Sequence, residues 1–290
     1  MDGAALIRAA AAHDTGGCND TIRTDDETGK GHIRAMTPPA IDDATFVLAT
    51  DLDGTFLGGD DAARADLYDW IRRHRASVGL IFVTGRDPQF IGALCDGGDV
   101  PWPDYVIGDV GTTIAHVTPD RSIAPIAALE AAIAEVWQDS GDRVRAMLDD
   151  VPGLRLQKTA FRHRVSYDLD PDVLEDGTVE RVRDAGFDVL ISDNRYFDVL
   201  PQGVSKGPSL RRLMAHLNVA EHRVLAAGDT LNDLSMLVAG TPAVAVGGAE
   251  QPLVEALAGT ASVYHARGIG AAGITEAIAH FDLHPHATRI

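Results

Sequence analysis

Phe46-Val47-Leu48-Ala49-Thr50-Asp51-Leu52-Asp53-Gly54-Thr55 is the stretch on which the reading of this chain turns. Its first five residues carry no charge and predict a short strand buried on both faces. Two carboxylates one residue apart then follow, and Gly54 lets the backbone turn sharply. Like charges this close repel, so a compensating cation is expected beside them. Within a parallel sheet the pair would lie at the carboxyl edge, where open α/β folds bind ligands.

The same pattern recurs along the chain. Val78-Gly79-Leu80-Ile81-Phe82-Val83 ends in Thr84-Gly85-Arg86, and Tyr105-Val106-Ile107 ends in Gly108-Asp109-Val110-Gly111. Later, Arg223 to Ala227 ends in Gly228-Asp229, and Ala243 to Val246 ends in Gly247-Gly248. Helical periodicity separates these runs at Ala62–His74, from near Asn232, at Gln251–Leu257 and at Gly273–His280. Buried strands alternating with helices predict an α/β fold: a Rossmann-like parallel sheet covered on both sides. The middle of the chain reads differently. A long helical pattern over Ala127–Leu148 precedes strands at Leu154–Thr159 and Arg164–Leu169. A helix at Val173–Ala185 precedes strands at Phe187–Ser192 and Tyr196–Val199, with Asp193-Asn194 suited to a tight hairpin turn. This helix-strand-strand block, occurring twice, predicts an inserted α+β cap. The expected division is a core of residues 44–120 and 200–290, a cap of residues 121–199, and a disordered tail of residues 1–43, where Gly, Asp, Thr and Pro mix without periodicity.

The bulk numbers narrow the function. The 290 residues are 45% hydrophobic and carry a formal net charge of -18. That acidity repels nucleic acid and anionic membranes, so neither is expected as a partner. No apolar run reaches the roughly 18–20 residues that span a bilayer. No secretory signal is read at the start, and two cysteines without metal-type neighbours, Cys18 and Cys95, fit a reducing, cytoplasmic setting. A monomer is expected. The acidity would also repel a phosphorylated substrate, so any such site needs local cations.

Four short pieces carry the candidate chemistry. Asp51 and Asp53 form the first. Gly228-Asp229-Thr230-Leu231-Asn232-Asp233 supplies further oxygen ligands at the same edge, with Asp229 direct and Asp233 orienting a water or ligand; a magnesium ion suits such a set. Thr84-Gly85-Arg86 offers a hydroxyl and backbone N–H groups that hold a phosphoryl group. Lys206, before the helical run Pro208–Leu217, is a side chain that can neutralise phosphate oxygens. In the middle block, Lys158, Arg162, His163 and Arg164 concentrate positive charge over a short span.

Taken in order, these four pieces resemble the four sequence motifs of haloacid dehalogenase-type phosphatases, and the resemblance covers about Ala44 to Leu283. A nearer likeness is to the sucrose-phosphate phosphatase family and its mannosylfructose-phosphate relatives. It is carried by Asp109-Val110-Gly111-Thr112, Val165 to Asp170, Asp198 to Gln202 leading to Lys206-Gly207, and Gly273 to Phe281. The chain departs from that family at Thr113, where an acid is usual, at Asp168, where a lid histidine is usual, and at Arg164, where a lysine is usual.

The resemblance implies a Mg2+-dependent sugar phosphatase with catalytic residues Asp51, Asp53, Thr84 and Lys206. Asp51 would be the nucleophile and Asp53 the acid and base, a choice that spacing alone leaves open. Magnesium would be held by Asp51, the Asp53 backbone carbonyl and Asp229, with Asp233 beside them. Substrate contacts would come from Thr84, Gly85, Arg86, Lys206 and Asn232, and from the cap residues Lys158, Arg162, His163 and Arg164. Sucrose 6-phosphate is the expected substrate. The alternatives are a broad sugar phosphatase, mannosylfructose or glucosylglycerate phosphate as substrate, a phosphomutase, and an inactive sugar-phosphate-binding module.

Overall fold

The computed structural model describes residues 41–159 and 161–287. The expected loose tail therefore falls outside the described residues, apart from its last three. Ile41–Asp43 form a helical turn, and Ile41 is buried in the core.

The chain runs β1 (Phe46–Thr50), α1 (Asp61–Arg73), β2 (Val78–Val83), α2 (Pro88–Asp96), β3 (Tyr105–Gly108), β4 (Thr113–Val117) and β5 (Ile123–Pro125). There follow α3 (Ala127–Trp137), α4 (Gly141–Leu148), β6 (Leu154–Leu156), β7 (Val165–Leu169), α5 (Thr178–Asp184), β8 (Phe187–Ser192) and β9 (Tyr196–Pro201). The chain then forms α6 (Lys206–His216), β10 (Val224–Gly228), α7 (Leu234–Leu237), β11 (Ala243–Gly247), α8 (Gln251–Ala256), β12 (Val263–Ile269) and α9 (Ala271–His280).

Eight strands make the large sheet, in the order β12-β11-β10-β1-β2-β3-β4-β5. The strands from β12 through β3 are parallel, and β4 and β5 add antiparallel at one edge. Alternate residues of β1 point to opposite cores: Phe46 and Leu48 pack with Trp70, Phe82 and Ile274, while Val47 and Ala49 pack with Ile81, Leu210 and Met236. This two-sided burial is why the strands read as continuous uncharged runs. The second sheet is antiparallel, in the order β6-β7-β9-β8, and has its own core around Trp137, Tyr167 and Phe197. An α/β core with a second, strand-rich unit is the architecture the alternation predicts.

Several elements differ from their expected limits. The helix expected over Ala127–Leu148 breaks into α3 and α4, because Gln138 and Asp139 both take φ 51 and end the first helix in the left-handed region. The helix expected from Val173 begins only at Thr178, after Gly177 at φ 80. The strand expected over Leu154–Thr159 is three residues long. β4, β5 and β12 are additional strands; after the buried Val263, β12 alternates half-buried and exposed residues and carries Arg267, so it lacks the uncharged run of its neighbours. Asp193 and Asn194 take φ 54 and 49, which a tight β8–β9 turn requires. Among the described residues no helix is long and apolar enough to cross a membrane.

Candidate active site

β1, β10 and β2 are neighbours, with Thr50 level with Ala227 on one side and Phe82 on the other. Asp51, Asp229 and Thr84 therefore leave the sheet at one edge, although Thr55 and Asp229 are 174 residues apart. The Asp51 N–H donates to the Ala227 carbonyl at 2.9 Å and extends the pairing by one residue. The chain then coils tightly through Leu52–Phe56, with Gly54 at φ 80. A Cβ on Gly54 would lie 2.0 Å from Asp229 Oδ2, so glycine is required both for its conformation and for room.

Lys206 stands at the first turn of α6 with its side chain 1% exposed. Its ammonium donates to Asp51 Oδ1, Asn232 Oδ1 and Asp233 Oδ1, each at 2.7 Å, which uses all three of its donors. Asp233 is equally committed: its Oδ2 accepts from the N–H groups of Asp229 and Thr230 at 3.0 Å and so closes the turn that follows β10. Asp229 Oδ1 accepts from the Thr55 hydroxyl at 2.7 Å. In sequence Thr55 is only the last residue of the Asp51–Thr55 motif, and spacing does not reveal its bond to Asp229.

Asp51, Asp229 and Asp233 each offer a carboxylate oxygen within 4.8 Å of the others. Burial pushes the Asp51 carboxyl well above its ordinary value; Lys206 pulls it back and Asp233 adds to the rise. Burial pushes Asp229 up to about 7, against the Thr55 hydrogen bond and with help from Asp233. Desolvation works to lower Lys206, but Asp233 and Asp51 outweigh it and hold the ammonium above its usual value. One lysine thus faces three acids, leaving the group short of positive charge. Hard carboxylate oxygens in that arrangement suit a divalent cation such as magnesium.

Asp53 faces elsewhere. Its carboxylate receives two hydrogen bonds from Arg86, at 2.8 and 3.0 Å, and both side chains are about half exposed. Its side chain is outside the group of three acids, and Arg86, expected to face substrate, is engaged with Asp53 and lies over the Phe90 ring at 4.6 Å. Thr84 is buried beside this pair, and its hydroxyl oxygen accepts from the Arg86 N–H at 3.2 Å.

The four basic residues of the middle block do not act alike. Arg162 pairs with Glu130 at 2.8 Å and donates to the Thr113 hydroxyl at 3.3 Å. His163 lies 3.5 Å from the same glutamate. Arg164 is buried and donates to Asp198 and to the Gly85 carbonyl. Lys158 is exposed, with no ion pair among the described residues. Glu130, a buried acid on α3, gathers Arg162 and His163, and nothing in the sequence marks it within an alanine-rich helix. Asp168, at the position of the usual lid histidine, pairs with Arg155.

A doubly covered parallel sheet with paired acids at its carboxyl edge and a strand-rich second unit defines the haloacid dehalogenase-like hydrolases. A solved member from Bacillus subtilis shares this fold, with a TM-score of 0.60 at 17% identity over 84% of this chain and 94% of that one. Residues 44–282 match the description of the sucrose-6F-phosphate phosphohydrolase family, and the chain belongs to that family. A mannosylfructose-phosphate phosphatase from Agrobacterium fabrum is 30% identical over 82% of this chain and 98% of its own length. A glucosylglycerol-phosphate synthase from Pseudomonas anguilliseptica is 39% identical over 81% of this chain, which spans only 31% of that longer protein. The sucrose-phosphatase of Synechocystis sp. PCC6803, solved with sucrose and phosphate, superposes with a TM-score of 0.75 at 28% identity, covering 82% of this chain and 98% of that one.

Proposed function

We propose that this chain is a magnesium-dependent phosphatase that hydrolyses a small phosphorylated glycoside through a phosphoryl group held on Asp51. The observation that carries this reading is the buried contact of Lys206 with Asp51 and Asp233, next to Asp229, at the carboxyl edge of the sheet. Such a group has one nucleophilic carboxylate, one fixed cation and spare oxygen ligands in a site largely cleared of water.

Asp51 would attack phosphorus; a bond forms from its carboxylate oxygen as the ester P–O bond breaks. Asp53 would give its proton to the departing sugar oxygen and then take one from the water that attacks the phosphoryl-aspartate. That second displacement breaks the bond to Asp51 and frees phosphate. For this the Asp53–Arg86 pair must open, which its exposure permits. Thr84 and Lys206 would hold the equatorial oxygens, on which charge spreads in the transition state; because the three Lys206 donors are all engaged, its bond to Asn232 would have to give way to the phosphoryl oxygen. Asp51, the Asp53 carbonyl and Asp229, with Asp233 behind them, would hold magnesium. When bound, magnesium would supply positive charge that offsets the carboxylate and phosphate charges. The same reading gives the unit built on the second sheet the role of a cap, with Arg162 and His163 at its edge toward the site; of the expected span 121–199, Ile123–Pro125 instead pairs with β4 in the large sheet, and β9 runs on to Pro201.

Sucrose 6-phosphate leads the candidate substrates because of the family; mannosylfructose phosphate and glucosylglycerol phosphate follow from the relatives' names. The test is phosphate release from a panel of phosphorylated mono- and disaccharides, with magnesium and with a chelator. We expect turnover only with the metal, and none in Asp51→Asn although that variant keeps its circular dichroism. Full turnover in Asp51→Asn rules out the mechanism, and phosphate appearing on a second sugar carbon instead of in solution would point to a mutase.

A further inference from the structure

The segment leading into β7 meets the loops at the edge of the large sheet, and its central contact is Arg164. This side chain is 6% exposed. Its Nη1 donates to Asp198 Oδ1 on β9 at 3.1 Å, its Nη2 donates to the Gly85 carbonyl at 3.2 Å, and its guanidinium lies 3.6 Å from the centre of the Phe161 ring. Asp109 Oδ1 stands 3.7 Å from the same Nη2, inside ion-pair range but beyond a hydrogen bond. That oxygen and Arg164 Nε are both buried without a hydrogen-bond partner. The contact of Asp109 Oδ1 with Arg164 Nη2 is thus short of a hydrogen bond by about half an ångström.

Asp109 opens a turn with an unusual backbone. Asp109 and Val110 take φ 52 and 60, and two successive left-handed residues, one of them β-branched, are costly unless their surroundings hold them. The surroundings here are the site itself. The Asp109 N–H donates to the Arg86 carbonyl at 3.0 Å and the Val110 N–H to the Thr84 carbonyl at 3.1 Å. The Gly111 carbonyl accepts from Ser209 on α6 at 2.7 Å. Gly111 presses so closely on the start of α6 that a Cβ there would lie 2.8 Å from the Lys206 backbone nitrogen. One strained turn therefore touches the backbone of both Thr84 and Lys206.

We infer that Arg164 and Asp109 are positioning residues that couple the seat of the second sheet, through the Asp109–Gly111 turn, to Thr84 and Lys206. Arg164 then acts on every phosphate ester alike, because what it sets is the grip on the phosphoryl group. An arginine reaching the sugar itself would act differently, through affinity for sugar phosphates alone. The kinetic consequence rests on the phosphatase reading; the mechanical coupling does not.

Two conservative variants of the full chain test this: Asp109→Asn, nearly isosteric, and Arg164→Lys, which keeps the charge. Amide hydrogen exchange reads the coupling without any activity. We expect the amides of residues 84–86 and 109–112 to exchange roughly tenfold faster in both variants. Change confined to residues 161–169 and 196–201 in both overturns the inference. Kinetics read the consequence. kcat should fall roughly tenfold for a sugar phosphate and for p-nitrophenyl phosphate together, with KM held within about twofold, since small misplacements cost rate. A higher KM for the sugar phosphate alone means direct sugar contact and also overturns it. Should the unaltered chain release phosphate from no ester, the phosphatase reading fails, and the exchange result still decides the coupling.

Discussion

Asp51 is 5% exposed and bonded to a lysine that water does not reach; Asp53, two residues on, is about half exposed and bonded to an equally exposed arginine. The first carboxylate belongs to a sunken network in which Lys206 serves three acceptors and Asp233 closes the β10 turn. The second belongs to a pair on the rim. Charges in the sunken network depend on one another, because removing one leaves others buried without compensation. Charges on the rim are screened by water and can be exchanged at small cost. A group that must keep one geometry fits the first setting, and a group that must change partners during a reaction fits the second.

Four measurements break or sharpen this contrast. Lys206→Met should show the largest effect, removing phosphate release and lowering unfolding free energy by about 3–5 kcal/mol, the usual result of orphaning a buried charge. Urea melts of the metal-free protein check it, and unaltered stability would mean that the three acids do not need the lysine. Asp53→Asn should slow phosphate release by roughly 10²–10⁴-fold, the range for losing a general acid, and move stability by no more than about 0.5 kcal/mol. Comparable losses of stability in both variants would erase the distinction between depth and rim.

The third measurement concerns pH. Asp229 binds its proton more tightly in the folded protein, with its pKa pushed up to about 7, than in the unfolded chain near 3.8. The folded state therefore holds the extra proton between those values, and this group's contribution to stability falls as pH rises from about 4 to 7. The penalty is complete above 7, where a divalent cation, if held as proposed, would offset it. Magnesium should thus raise the melting temperature more at pH 8 than at pH 6, where it must displace a proton. An equal rise at both pH values would separate Asp229 from the metal. Arg86→Ala should have the smallest effect, changing stability by no more than about 0.5 kcal/mol, within the range for exposed ion pairs; a thermal melt is sufficient to check it.

The sequence made the sunken network legible because each of its members follows a recognisable local signal: an uncharged strand, then acid and glycine, or a lysine opening a helix. Their order along the chain did the rest through resemblance. The rim pair was not legible, since nothing in Thr84-Gly85-Arg86 says which of several anions the arginine meets. Arg162, His163 and Arg164 show the same limit. Side by side they look alike as a run of cations, yet Arg162 stays half exposed on Glu130 while Arg164 is buried against Asp198. Burial there depends on the approach of two sheets, which no local pattern encodes. In the fold, β1, β2 and β10 declared themselves by apolar continuity, whereas β12, half exposed and interrupted by Arg267, resembled a loop. The break after α3 was hidden because apolar spacing continues from Leu129 through Val144 across the two left-handed residues.

The order of strands also bears on how the protein is made. β1 lies between β2 and β10, so one of its two hydrogen-bonding sides remains bare until the ribosome has delivered residues beyond Val224. A nascent chain that has already emitted β2, β3 and the whole second sheet still presents an uncharged open edge, the kind of surface that invites pairing with another molecule. Synthesis of this chain therefore includes a long interval of exposure before its sheet closes, and slowing translation between β9 and β10 should increase insoluble product more than the same delay after β11.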